Sequence, residues 1–246
     1  MKKGVIIIDF DNVFYGKDSS SGIKCYIESF IETCISVSRN IETLDIRLYG
    51  GWKTNANYTN QASKVLGFLE TIKSELFPYI IDQTHRLFGN LELATSQHNL
   101  DIEWENTFHE KNAKHFLSVK TDNSRYCNHK QEECPIQIVA KATRGAQVLC
   151  PIDGCEYIDV SQLVRMEQKM VDSMMTCDIL EYVHDDDCEV IIVVSDDIDL
   201  HPALALAGER YAKKNAVKLV LMVKNQKQIE KYKHVLTPHN VIIKTW

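Results

Sequence analysis

Val5–Asn12 reads VIIIDFDN: four branched aliphatic residues in succession, then Asp, Phe, Asp and Asn. An unbroken apolar run that stops at an acid is the pattern of a central parallel strand, because helices cover such a strand on both faces. Glu189–Asp199, EVIIVVSDDID, repeats the pattern nearly two hundred residues later. Working outward, Leu44–Tyr49, Val217–Val223 and Val241–Lys244 read as further strands, with short ones expected at Tyr79–Ile81, Arg86–Phe88 and His115–Val119. Helical periodicity is expected over Ile23–Arg39, Asn57–Leu76, Val160–Tyr182, His201–Lys214 and Gln226–Tyr232. Strands alternating with helices imply right-handed crossovers and an α/β fold, a doubly wound, mostly parallel sheet flanked by helices.

At 246 residues and 44% hydrophobic the chain is long enough to bury a large core, and it reads as one domain over 1–246. No run of about 18 apolar residues exists, so no membrane span is expected. The apolar run after Lys2 and Lys3 is broken by Asp9 and Asp11 and is shorter than a signal sequence needs. A cytoplasmic location is therefore expected. The net charge of −6 argues against a broad basic face, while leaving room for local Lys/Arg patches that meet phosphates.

In a doubly wound sheet, sites form just beyond the carboxyl ends of the strands. There the first strand supplies Asp9, Asp11 and Asn12, and the later one Ser195, Asp196, Asp197 and Asp199. Carboxylates packed at two neighbouring strand ends repel one another unless a cation sits among them. Oxygen-only ligands suit Mg²⁺ or Mn²⁺. Within the long helix expected at 160–182, Lys169 and Asp172 are three residues apart and share a face, and Asp178 is a further candidate ligand. Asp196 reads as a loop residue.

With these residues in view, the sequence resembles the NYN family of PIN-like ribonucleases. Its Asp-x-x-Asn motif is similar to Asp9 and Asn12 in IIIDFDN. Its Lys-x-x-Asp motif with a later Asp is similar to Lys169, Asp172 and Asp178, and its Ser-Gly-Asp-Ser-Asp-Phe motif to Ser195, Asp197 and Asp199 in SDDIDL. Asp196 stands where the family usually has Gly, and Leu200 where it usually has Phe. The resemblance implies a PIN-like fold and a metal-dependent ribonuclease. It implies that Asp9, Asp172, Asp197 and Asp199 hold Mg²⁺ or Mn²⁺, and that Asn12 and Ser195 position ligands or phosphate. RNA as the partner follows from the resemblance alone, and a homodimer stays open.

Residues 121–159 differ in texture, rich in Cys, His, Pro and Gly. Cys127, Cys134, Cys150 and Cys155, with His129 as an alternative ligand, are expected to form two knuckles around a hairpin and suggest a small zinc-ribbon-like insertion holding structural Zn²⁺. Free thiols that merely cluster are the alternative. Cys25, Cys34, Cys177 and Cys188 are expected to pack as small hydrophobes. Two other functions fit the acids. A phosphatase of the HAD class would use Asp9 as nucleophile and Asp11 as general acid. A non-catalytic RNA-binding module would keep the fold without a working site.

Overall fold

The computed structural model describes residues 1–14, 19–100, 102–112 and 164–246. The cysteine-rich stretch 121–159, with Cys127, His129, Cys134, Cys150 and Cys155, lies outside the described residues, as does the strand expected at His115–Val119. The chain divides into two compact units, Met1–Thr107 with Lys169–Trp246, and Phe108–Gln168.

The larger unit is built on strands β1 (Lys3–Asp9) and β2 (Thr43–Tyr49), the short β3 (Lys53–Thr54) and β4 (Asn57–Tyr58), then β5 (Tyr79–Ile80) and β6 (Arg86–Leu93). In the smaller unit β7 (Phe108–Asn112) pairs antiparallel with β8 (Val164–Gln168), so Asn112 and Val164 lie side by side. β9 (Cys188–Val194), β10 (Lys218–Val223) and β11 (Val241–Thr245) complete the set. The main sheet has seven strands in the order β11-β10-β9-β1-β2-β6-β5. Its neighbours are parallel except at the β5–β6 edge.

The helices are α1 (Phe10–Phe14), α2 (Ser20–Val37), α3 (Asn60–Leu76), α4 (Val171–Tyr182), α5 (His201–Leu206) and α6 (Gln226–Leu236). A π-helical turn, Ala207–Ala212, continues α5. Side chains alternate across the sheet, and the core divides accordingly. Ile6, Ile8, Ile46 and Leu48 pack with Ile27, Phe30 and Ile31 of α2 and Val65, Leu69 and Ile72 of α3. Val5, Ile7, Ile191 and Val193 pack with Met174, Met175 and Ile179 of α4 and Leu204 of α5. Cys34 and Cys188 are buried as expected, whereas Cys25 and Cys177 are exposed. Among the described residues no helix is long and apolar enough to cross a membrane.

Several boundaries differ from expectation: Asn57–Tyr58 is a strand ahead of α3, β6 runs on from Phe88 to Leu93, and α5 ends at Leu206; a fourth bears on the site. The helix expected over 160–182 begins only at Val171, because Val164–Gln168 is strand β8 and Met170 adopts a left-handed backbone, φ 65°. Pairing with β7 overrides the helical propensity of this stretch. Lys169 therefore precedes the helix and does not share a helical face with Asp172.

Candidate functional site

β1 connects onward to β2 on one side, whereas the chain later returns on the other side as β9, so the strand order reverses between β1 and β9. That crevice, outside the carboxyl ends of the strands, is where open α/β sheets place their sites. Asp9 ends β1 and Ser195 directly follows β9. Strand alternation turns both toward the α4 face, since Ile7 and Val193 belong to the core on that side.

Local hydrogen bonds fix the acids. The Ser195 hydroxyl donates to Asp9 Oδ2 at 3.0 Å. It accepts from the Asp197 backbone N–H at 3.0 Å. Asn12 donates twice to Asp9, from Nδ2 at 2.9 Å and from its backbone at 3.3 Å. Asp197 caps the 3-10 turn Ile198–Leu200, and its Oδ1 accepts from the Asp199 N–H at 2.8 Å. The turn reverses the chain tightly enough to hold Asp197 and Asp199 together, while the first turn of α4 brings in Asp172.

Asp172, Asp197 and Asp199 each offer a carboxylate oxygen lying within 4.8 Å of the others. Burial, followed by the charges of Asp197, Asp9 and Asp199, pushes the Asp172 carboxyl up to about 6. Asp9, 4% exposed, is also raised: burial outweighs the hydrogen bonds from Asn12 and Ser195 that favour its charged form. Asp9 thus stands behind the trio, close enough for Asp172 to sense its charge and tied to it through Ser195.

The remaining expected residues fall on both sides of this boundary. Lys169 lies just before α4, its backbone N–H bonded to the Thr107 carbonyl at 2.9 Å. Asp196 is a loop residue, as read: its Oδ1 accepts from the Lys224 N–H at 2.9 Å. Asp11 accepts from Gln61 Nε2 at 2.8 Å. His201 packs edge-on against Tyr232 with ring centroids 4.4 Å apart, and burial lowers its pKa.

Asp178 is not brought together with Asp172, Asp197 and Asp199, and its carboxylate serves a different group. Six residues along a helix turn a side chain about 120° away from the starting face, and Asp178 is 1% exposed under α4. It accepts from the Tyr49 hydroxyl and from the His98 N–H at 2.9 Å. It also pairs with Arg47 Nε at 3.5 Å. This buried network was missed from sequence. Its one trace there was Arg47 itself, a charge inside the apolar strand TLDIRLY.

No protein-family model matches the chain, and no curated protein or solved structure matches it.

Proposed function

We propose that the protein is a metal-dependent ribonuclease that hydrolyses RNA phosphodiester bonds at the β1–β9 crevice. The observation that supports this most directly is the meeting of Asp172, Asp197 and Asp199 within 4.8 Å, with Asp9 beside them. The donor set fits the group it would hold: all ligands are carboxylate oxygens, as hard divalent cations require. Burial first, and then the neighbouring carboxylates, hold the Asp172 carboxyl above its ordinary range, and a cation would offset the second of these.

Asp172, Asp197 and Asp199 would hold Mg²⁺ or Mn²⁺, with Asp9 as the fourth acid. When bound, such an ion supplies a more acidic water and offsets charge on the phosphodiester oxygens. The chain's own residues set the geometry. Asn12 and Ser195 keep the Asp9 carboxylate in one orientation, and Ser195 transmits that orientation to the Asp197 backbone. Lys169, exposed just before α4, would meet a phosphate as a point charge. RNA in preference to DNA rests on the family resemblance. The same reading keeps Zn²⁺ for Cys127, Cys134, Cys150 and Cys155, or His129 in place of one of them.

Purified protein should cut a mixture of single-stranded and structured RNA in Mn²⁺ or Mg²⁺ and stop in EDTA. An Asp197→Asn variant, folded by circular dichroism, should lose the activity at least a hundredfold, a loss of about 2.7 kcal/mol in barrier lowering. Asp11→Ala should leave cutting within a few-fold of wild type. If Asp197→Asn cuts as well as wild type, the cluster is not the site. If small phosphate esters are turned over and Asp11→Ala ends that turnover, the chemistry belongs to a phosphatase.

A further inference from the structure

The chain's charge is unevenly distributed. Residues 210–246 carry nine Lys/Arg and one Glu, so the rest of this net-negative chain holds 19 Lys/Arg against 33 Asp/Glu. Four of these nine, Lys224, Lys227, Lys231 and Lys233, lie on or just before α6. Lys227, Lys231 and His234 recur on α6 at i, i+4 and i+7 and so share one face, and Lys224 stands two residues before the helix. All four are exposed. Among the described residues none of the three lysines forms an ion pair.

This stripe begins at the rim of the acidic crevice. The Lys224 backbone N–H is bonded to Asp196, the neighbour of both Ser195 and Asp197. Tyr232, on the adjacent face of α6, donates its hydroxyl to the Asp196 carbonyl at 3.4 Å and packs against His201. Lys231 Nζ lies 5.3 Å from the Tyr232 ring centroid. From there the cationic face extends about 6 Å along α6, at 1.5 Å per residue from Lys227 to Lys231.

We propose that this stripe is the track for the sugar–phosphate backbone of the substrate strand, seating the nucleotides that flank the scissile bond on the β10 side. The inference rests on the nuclease reading and deepens it. A polyanion approaching a set of carboxylates is repelled, and adjacent unpaired cations supply the opposing attraction. Lysine is a flexible point charge that meets phosphates and does not read base edges. Tyr232 is 5% exposed, so its ring is not offered to a base for stacking. Grip here is therefore expected to be electrostatic, salt-sensitive and indifferent to sequence.

The test is binding of a fluorescein-labelled 20-nucleotide single-stranded RNA of mixed sequence, read by anisotropy in EDTA over a KCl series. Lys227→Ala/Lys231→Ala is compared with a control of equal charge change, Lys2→Ala/Lys218→Ala, at the amino ends of the strands. Two lost phosphate contacts should flatten the plot of log K against log salt by about 1.4. They should weaken binding about tenfold at 0.1 M KCl, equally for unrelated sequences, while the control stays near wild type. Equal behaviour of the two variants overturns the track. If metal-dependent cutting by wild type persists in that case, the nuclease reading stands without it. If wild type neither binds nor cuts RNA, both fail.

Discussion

At Asp172, burial and three neighbouring carboxylates act in the same direction, and its carboxyl titrates near 6 in place of the usual 3.8. The folded protein then holds this proton more firmly than the unfolded chain does. Linkage makes the group's contribution to stability fall as pH rises from about 4 through 6. Above that window the ionised carboxylate works against the metal-free fold, and the same ionised state is the one a cation needs. Asp172→Asn should therefore stabilise EDTA-treated protein at pH 7.5. Solvent screening at this partly open site holds the gain to about 1 kcal/mol, or roughly 2–4 °C in Tm. The gap from wild type should close toward pH 4.5, where both side chains are neutral, and the variant should lose its response to Mn²⁺. Melts at several pH values decide this: a gap that stays constant with pH would mean that Asp172 does not sense the other acids.

At the scale of elements, the position of Asp172 depends on how α4 is seated, and Asp178 fixes that seat. Arg47 and Tyr49 project from β2 toward α4, and both reach the Asp178 carboxylate. Tyr49 lies directly across from Asp9 in the β1–β2 register, so one buried carboxylate ties the helix to the strand beside the site. Asp178→Ala would leave the buried Arg47 guanidinium with only the more exposed Glu92 carboxylate and the Ser96 carbonyl as partners, a loss of up to about 3–5 kcal/mol. Arg47→Met/Asp178→Leu removes both charges and should recover a large part of that stability. Urea titrations measure both, and equal destabilisation by the single and the double variant would show that the pair is not coupled. The element scale also shows what could be read in advance. The strands carrying Asp9 and Ser195 were legible because burial on both faces leaves an unmistakable apolar run, and the acids follow at their ends. The start of α4 was not. Nothing in VRMEQKM announces that Val164–Gln168 pairs with Phe108–Asn112, since a long-range partner is invisible to local periodicity. Lys169 was consequently placed more than two turns inside a helix that begins after it. That Asp178 lies apart from the trio was not legible for a related reason: spacing along a helix tells which face a residue occupies, but not which strand that face meets.

For the whole molecule, the sheet order concentrates acids from three distant segments, around residues 9, 172 and 197, at one topological switch point. Such a concentration opposes folding unless a ligand of opposite charge is bound. The core beneath it must supply the difference, and the aliphatic residues of β1 and β9 are indeed almost fully buried on both faces. A cation that binds only the folded state adds its binding free energy to stability, about 2.7 kcal/mol at a concentration one hundred times its Kd. In a chain of this length that corresponds to a rise in Tm of about 5–10 °C. Mn²⁺ titrated into EDTA-stripped protein at pH 7.5 should produce such a rise, and acidification to pH 5 should diminish it as Asp172 takes up its proton. Melts of Asp197→Asn should show little shift at either pH, while Cys150→Ser/Cys155→Ser should keep the Mn²⁺ shift, because those thiols belong to a separate Zn²⁺ reading. A Mn²⁺ shift of full size in Asp197→Asn would place the cation elsewhere and leave the crevice a set of carboxylates held apart by the fold alone.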